Sequence, residues 1–319
     1  MSATLKRRVL THEDLKECLR KHNALESIAL KGFCEIPWRN ISADARRIRQ
    51  GFWSLLDDDP RRDIFQVPES YYPHDELDEE MEFGLLEKRI GTIKAQLTEL
   101  ERVEGRTTHD GNKWRFHFNY ELLDYLYRHN ALPGDYSEFF GACTTLNMAA
   151  FHIARALAAL YDEANSNSEH GDGWSGSLLS RVEKSHAVTR LLRYESITGT
   201  KPDATPHRDR SAFTVHWLSS HPGLTLFNEK RERFRVNETS PTNILIFPAK
   251  KFWGITRGRH GTGTLHGVFD ERRRDVAQVS SEHRFAIVSF VHAILYPEDA
   301  AWMRSNIGEL QLDPANYRL

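Results

Sequence analysis

The stretch TPHRDRSAFTVHW, residues 205–217, contains the pattern from which the fold of this chain is predicted. Its first half carries an imidazole and a carboxylate two residues apart, His207 and Asp209. Its second half has the β-branched and aromatic composition of a strand. Residues i and i+2 of a strand lie on the same face. Because a strand is predicted to begin beside the pair, both side chains are expected to face one cavity.

The His-x-Asp spacing occurs twice more, so position has to distinguish the three copies. His12 and Asp14 lie at a predicted helix start, where residues i and i+2 diverge by roughly 200°. His170 and Asp172 lie in the polar segment NSNSEHGDGWSG. Only the copy beside a predicted strand places its two side chains together.

Short segments rich in β-branched and aromatic residues follow one another from residue 187, separated by turn residues. About eight strands over about a hundred residues predict a double-stranded β-helix, or jelly-roll, core with a cavity between its sheets. The segments are AVTRLLRYES, SAFTVHWL, GLTLFN, RFRVN, NILIFP, KFWGIT, TLHGVF and RFAIVSFVHAIL.

The preceding part of the chain is mostly helical, which makes the fold class mixed α and β. A helix over THEDLKECLRKHNALESIAL, a strand at FCEIPW, and helices at ADARRIRQGFWSLL and SEFFGACTTLNMAAFHIARALAALYDEAN are predicted. The predicted organisation is a helical N-terminal region, 1–186, packed around a jelly-roll core, 187–298, with a C-terminal helix and tail, 299–319. Residues 57–82 are interpreted as a loop. Leu86, Ile90, Ile93, Leu97 and Leu100 form a helical stripe for which core packing and a dimer contact both stay open.

Composition excludes several classes of protein. The 43 Lys and Arg nearly balance the 45 Asp and Glu, which argues against nucleic acid as a partner. No run of apolar residues is long enough for a membrane span or a signal peptide, so a cytoplasmic protein without membrane contact, monomeric or homodimeric, is expected. The 3 cysteines are scattered and include no Cys-x-x-Cys pair, which argues against a zinc-thiolate site.

A metal site at His207 and Asp209 needs a second imidazole, because the 2-His-1-carboxylate triad of non-haem iron enzymes uses three protein ligands and leaves positions open. Five of the histidines that follow the pair are candidates. His266, in GTLHGVF, has the strand context that would hold an imidazole rigidly. The other candidates are His216, His221, His260 and His283.

The motifs resemble those of the iron(II)- and 2-oxoglutarate-dependent oxygenases, in the isopenicillin N synthase-like branch. PHRDRSAFTV is similar to that branch's His-x-Asp-x-Ser-x-x-Thr strand, TRGRHGTGTLHGV to its distal histidine segment, and RFAIVSF to its Arg-x-Ser strand. LLRYES resembles the Arg-Tyr strand of the β-lactam-forming members. The resemblance implies His207, Asp209 and His266 as iron ligands. It also implies Arg284 as the partner of the distal carboxylate of 2-oxoglutarate and Tyr194 as a hydrogen-bond donor in the same pocket.

The sequence departs from the pattern of that branch at three places. Ala286 stands where a serine usually helps to hold the cosubstrate carboxylate, Gly267 replaces the arginine after the distal histidine, and DERRRDVAQVSSE lengthens the gap before Arg284. Arg274, within that insertion, is an alternative to Arg284. The change at Ala286 concerns the cosubstrate more than the metal, and the change at Gly267 concerns the substrate or packing more than the metal.

Three functions are therefore open at the level of the sequence. The first is an iron(II) and 2-oxoglutarate oxygenase of biosynthetic type that oxidises a small molecule with O₂, releasing succinate and CO₂. The second is an iron oxidase of the same fold that draws electrons from its own substrate, which Ala286 favours. The third is a jelly-roll module that binds a ligand without turnover. The substrate and the choice among hydroxylation, desaturation, epoxidation and cyclisation are not encoded in these motifs.

Overall fold

A computed structural model provides the structure of the chain. It describes residues 11–38, 41–56, 113–119, 136–166, 176–182, 187–194, 204–269 and 284–306. The helical stripe at 86–100, the segments 57–82 and 270–282, and His170, Asp172 and His283 lie outside the described residues.

Two short helices open the described part of the chain, where one long helix was predicted. Helix α1, His12–Lys21, begins at a capping box in which the Thr11 side chain and the Asp14 side chain each accept a bond from the other's backbone. Helix α2 is Ala24–Lys31. The prediction of one continuous helix is wrong because Asn23 adopts the left-handed conformation, with φ 49°, which interrupts the helical hydrogen bonds.

The remaining predicted helices of the N-terminal region are confirmed. Helix α3 is Ile41–Leu56 and helix α4 is Ser137–Ser166. Helix α4 packs against α1, α3 and two strands, Ala187–Tyr194 and Arg284–Val291, and its apolar residues on several sides are buried. It therefore supports the sheet from behind, as its apolar composition predicted.

Ten described strands form two antiparallel sheets, which confirms a mixed helical and antiparallel-sheet fold. The larger sheet has the order β1-β8-β5-β10-β3-β2 and the smaller sheet the order β4-β9-β6-β7. The strands are β1 Cys34–Pro37, β2 Lys113–Asn119, β3 Ala187–Tyr194, β4 Ala204–His207, β5 Phe213–Ser219, β6 Leu224–Phe227, β7 Arg233–Arg235, β8 Asn243–Pro248, β9 Leu265–Val268 and β10 Arg284–Val291.

Two elements differ from the sequence prediction. KFWGIT forms helix α5, Lys250–Ile255, instead of a strand, and the Thr256 hydroxyl donates back to the Phe252 carbonyl at its end. The side chains of Phe252, Trp253 and Ile255 are fully buried, and a short run of buried apolar residues does not distinguish a strand from a helix. Strand β2 was not predicted, although Trp114, Phe116 and Phe118 alternate with polar residues as in a strand.

The two faces of strand β10 belong to different apolar clusters. Phe285, Ile287 and Val291 join the large core that includes helix α4. Ala286 and Val288 instead join a small cluster with Leu192 and Tyr194 of β3. Alternate residues of a strand face opposite sides, so the small cluster lies on the face turned away from the helices.

The C-terminal helix α6, Pro297–Asn306, is tied to the core by a buried ion pair. Asp299 accepts from Arg181, in a short 3-10 helix, and from Arg257 Nη2 at 3.3 Å. The side chains of Arg181 and Asp299 are 0% and 2% exposed. Among the described helices, none has the length and apolar character that crossing a membrane requires.

Candidate metal centre

The smaller sheet brings the first and last residues of the predicted triad side by side. Strand β4 ends at His207, strand β9 contains His266, and the two residues are direct partners in the antiparallel pair. Asp209 follows two residues after the end of β4. The predicted strand SAFTVHWL is found as β5, which begins at Phe213, but His207 itself belongs to β4, an earlier strand that was not predicted. Pro206 within β4 had hidden that strand, since proline is rare inside sheets.

Nitrogen and oxygen atoms of His207, Asp209 and His266 converge on one point. One potential ligand atom from each residue lies within 4.8 Å of the others. The carboxylate of Asp209 is 3.6 Å from His207 Nε2 and 3.5 Å from His266 Nε2. The His207 side chain is 42% exposed, whereas the Asp209 and His266 side chains are each 8% exposed. The cluster is thus closed on one side and open to solvent at His207.

Neighbouring groups fix the orientation of two triad side chains. Thr214 Oγ1 donates to Asp209 Oδ2 at 2.7 Å. His266 Nδ1 lies 3.2 Å from the Thr264 carbonyl oxygen, which requires the proton on Nδ1 and leaves the Nε2 lone pair for a metal. The Phe247 ring packs 5.0 Å from the His266 ring. Such outer contacts are characteristic of histidine and carboxylate ligands held for metal binding.

The protonation states of the buried ligands suit a cation. Burial lowers the pKa of His266 to about 4, against the opposing charge of Asp209, so the ring is neutral at neutral pH. Burial raises the pKa of Asp209, but the positive charge that His266 carries when protonated, together with hydrogen bonds from His207 and Thr214, outweighs burial and holds that pKa well below its ordinary value. A neutral imidazole and an ionised carboxylate are the forms that bind metals.

The other described histidines lie apart from this cluster. His216 Nε2 is 3.1 Å from Ser219 Oγ and 3.2 Å from Glu238 Oε2. His260 packs edge-on against the Tyr161 ring at 5.1 Å. His221 Nδ1 is 2.8 Å from Ser220 Oγ. Among the candidate histidines in the described residues, His266 is the one that lies with His207 and Asp209.

Arg284 and Tyr194, predicted from the resemblance, are neighbours at one end of the larger sheet. They are direct partners in the β10–β3 pair, and the Arg284 guanidinium carbon lies 4.8 Å from the centre of the Tyr194 ring. Arg284 Nη2 also donates to Glu238 Oε2 at 2.6 Å and to Ser219 Oγ at 2.8 Å. Glu238 was not predicted, since it belongs to no motif and its partners are distant in sequence.

Close packing accounts for the glycine that follows the distal histidine. A Cβ at Gly267 would lie 2.8 Å from the Phe269 ring and 3.0 Å from the Ala204 carbonyl oxygen. These contacts leave no room for an arginine at this position in the β4–β9 pair. The departure from the family pattern at Gly267 is therefore a packing feature of strand β9.

Solved structures with similar folds include proteins described as oxygenases. A Caulobacter crescentus protein assigned to the 2OG-Fe(II) oxygenase family has a TM-score of 0.55 at 14% identity, over 93% of this chain and 95% of that chain. The chain shares the fold of 2OG-Fe(II) oxygenases. No protein-family model and no curated protein sequence matches it.

Two further structures with this fold carry bound cosubstrate. AtDAO1, the dioxygenase for auxin oxidation 1 of Arabidopsis thaliana in its 2-oxoglutarate complex, has a TM-score of 0.53 at 12% identity, over 91% of each chain. A full-length Neurospora crassa protein, in complex with alpha-KG and 5-formyluracil, has a TM-score of 0.51 at 14% identity, over 90% of this chain and 83% of that chain. These three similarities cover between 90% and 93% of this chain.

Proposed function

We propose that this protein is an iron(II)- and 2-oxoglutarate-dependent oxygenase that oxidises a small molecule. The convergence of His207, Asp209 and His266 in the smaller sheet carries the proposal. Two imidazoles and one carboxylate are the donor set of non-haem iron(II) oxygenases, in which the remaining metal positions stay open for cosubstrate and O₂. The exposed edge of His207 provides the access that such a site needs.

We infer that the two sheets are the halves of a jelly roll. From β3 to β10 the chain passes repeatedly from one sheet to the other, with β3, β5, β8 and β10 in the larger sheet and β4, β6, β7 and β9 in the smaller. The triad lies on the smaller sheet, and Thr214, which bonds to Asp209, lies on the larger. The site is accordingly assigned to the space between the sheets.

In this proposal His207, Asp209 and His266 hold iron(II), which supplies the activation of O₂. Arg284 and Tyr194 contact the tail of 2-oxoglutarate, where a guanidinium suits a carboxylate and a phenol can donate a hydrogen bond. The overall reaction consumes O₂, with one oxygen atom entering succinate and the other the product, and releases CO₂. Hydroxylation of a C–H bond is the simplest outcome of that stoichiometry.

The small-molecule class is supported by the similar folds. AtDAO1 is described as a dioxygenase for auxin oxidation, and the Neurospora crassa protein was solved with thymine and with 5-formyluracil. Thymine and 5-formyluracil are compact, partly apolar ring compounds. We extend to this chain only the general class, a small organic substrate.

A second candidate is an iron oxidase of the same fold that does not use 2-oxoglutarate. The surroundings of Arg284 favour it. Arg284 is already bonded to the buried carboxylate of Glu238, and Ala286 provides no hydroxyl beside it. The second candidate and the first share the metal triad and differ in whether a 2-oxo acid binds to it.

Anaerobic titration of the iron(II)-loaded protein with 2-oxoglutarate tests both candidates. We expect the weak visible charge-transfer band of a 2-oxo acid chelated to iron(II), and we expect His266→Ala to abolish the band together with iron binding. His152→Ala, a histidine of helix α4, is the matched control and should keep both. Iron binding without a band would favour the oxidase, and failure to bind iron would leave only a ligand-binding module.

A further inference from the structure

Glu238 lies at the centre of a buried polar network that joins three strands. Its carboxylate accepts from Arg284 Nη2 at 2.6 Å, from Ser219 Oγ at 2.7 Å and from the Leu224 backbone N–H at 2.5 Å. His216 Nε2 lies 3.2 Å away. The side chains of Glu238 and Arg284 are 0% and 2% exposed, so the pair is shielded from solvent.

The Glu238 carboxylate is ionised in this network. Burial raises its pKa, but the charge of Arg284 and hydrogen bonds from His216 and Leu224 outweigh burial and lower the pKa to about 2. The guanidinium of Arg284 is therefore neutralised by a carboxylate of the protein itself. The combined formal charge of the two side chains is zero.

The pair is connected by backbone pairing to the strand that carries a metal ligand. Leu224, whose N–H binds Glu238, is the direct partner of Val268 in the β6–β9 pair. Val268 lies two residues beyond His266 on β9, a separation of roughly 7 Å at the rise of an extended strand. The pair is thus connected through Leu224 to the strand that carries His266.

The surroundings on the Tyr194 side of the pair are apolar. Tyr194 and Ala286 belong to the small cluster with Leu192 and Val288, and the Arg284 guanidinium stacks on the Tyr194 ring. A second carboxylate placed here would give a net negative charge in a site of low polarity, and such burial is costly. An uncharged tail that accepts hydrogen bonds avoids that cost.

We propose that the Glu238–Arg284 pair makes the tail pocket of the cosubstrate site charge-neutral, so that 2-oxo acids with uncharged hydrogen-bonding tails bind about as well as 2-oxoglutarate. The proposal rests on the proposed function, because it concerns the 2-oxo acid bound at the iron site. Glu238 acts through Arg284 and is a positioning residue that determines which tails are accepted.

The test compares 2-oxoglutarate with its 5-methyl ester, which keeps the distal oxygens and removes their charge. Each ligand is titrated anaerobically into the iron(II)-loaded protein, and the dissociation constant is read from the charge-transfer band. In the unsubstituted protein we expect the two constants to agree within about threefold, because neither ligand meets an uncompensated guanidinium.

Glu238→Gln provides the second arm. Removing the carboxylate leaves the Arg284 charge uncompensated, so we expect 2-oxoglutarate to bind about tenfold or more tightly, in keeping with the strength of hydrogen bonds to charged groups. The affinity for the ester should change little. A merely structural role of Glu238 would weaken both ligands together.

Asp299→Asn is the matched control, since it removes the carboxylate from the other buried arginine pair, with Arg181, while leaving the metal site untouched. It should leave both dissociation constants unchanged. The comparison of the two ligands in the unsubstituted protein needs no variant, so it decides the proposal even if Glu238→Gln does not fold.

Two results would overturn the proposal while the proposed function stands. One is an ester that binds about 30-fold or more weakly than 2-oxoglutarate to the unsubstituted protein, the loss expected when an open guanidinium clamp loses its anion. The other is a folded Glu238→Gln protein with no gain in 2-oxoglutarate affinity. A protein that binds iron but gives no band with either ligand would instead overturn the cosubstrate assignment, and this inference with it.

Discussion

At the scale of single residues, the position of the Asp209 carboxylate depends on Thr214. The Thr214 hydroxyl donates to Asp209 Oδ2 at 2.7 Å. Thr214→Val keeps the shape of the side chain and removes this bond. We expect the dissociation constant for iron(II) to rise about 10- to 100-fold, the usual effect of losing a partner of a metal ligand. Anaerobic iron titration measures it.

A second buried threonine provides the control for that substitution. Thr256 donates to the Phe252 carbonyl at 2.8 Å and is fully buried in a helix end away from the triad. Thr256→Val should lower stability slightly and leave iron affinity unchanged. If Thr214→Val bound iron as tightly as the unsubstituted protein, the hydroxyl would have no role in holding the carboxylate.

At the scale of secondary-structure elements, the turn before β9 sets the position of His266. Gly263 has φ +79°, and a Cβ there would lie 2.9 Å from the Ala249 carbonyl carbon. The next residue, Thr264, bonds to the Pro248 carbonyl through its N–H and faces His266 Nδ1 with its own carbonyl. We expect Gly263→Ala to destabilise the fold by at least about 1–2 kcal/mol and to weaken iron binding, because the turn must shift.

Gly176 provides a control that shares the backbone strain expected at Gly263 but not its close contact. It has a similar φ of +76°, but a Cβ there would meet no atom within 4 Å. Gly176→Ala should lower the free energy of unfolding through backbone strain alone and keep iron affinity. Urea unfolding and iron titration of both variants make the comparison. Equal iron affinity in the two variants would show that the Gly263 turn does not position the distal histidine.

The sequence alone predicted some of these elements and residues and missed others. His207, Asp209 and His266 were found because metal ligands of this kind follow short motifs with strand context on either side. Helix α5 was mistaken for a strand, since Phe252 and Trp253 are buried in either conformation. Glu238 was missed because burial and long-range partners define its role, and neither leaves a local pattern.

At the scale of the whole molecule, Glu238 joins elements of both sheets. Its partners belong to β5 and β10 of the larger sheet and to β6 of the smaller. Replacing it by glutamine leaves the buried Arg284 without its counter-charge. Because breaking one side of a buried ion pair costs about 3–5 kcal/mol, we expect Glu238→Gln to lower the free energy of unfolding at neutral pH by about that amount.

The loss of unfolding free energy in Glu238→Gln should depend on pH. The depressed pKa of Glu238 fixes the direction of that dependence. The folded-state pKa is about 2, against an ordinary value of 4.5. Its stabilising contribution is therefore complete above about pH 4.5 and disappears as the pH falls towards 2, where the folded carboxylate also takes up a proton. The difference in unfolding free energy between the unsubstituted protein and Glu238→Gln should shrink over that interval when urea unfolding is followed from about pH 7 to about pH 3.

Glu163→Gln makes the same chemical change at the surface and is the control for Glu238→Gln. Hydrogen bonds from Lys16 and Arg20 also lower the pKa of Glu163, but its side chain is 43% exposed, so solvent screens these interactions. The free energy of unfolding of Glu163→Gln should differ from that of the unsubstituted protein by less than about 1 kcal/mol at every pH. If the Glu238→Gln difference were equally small and equally flat, the buried pair would not couple the two sheets, and the neutrality of the tail pocket would lose its structural basis.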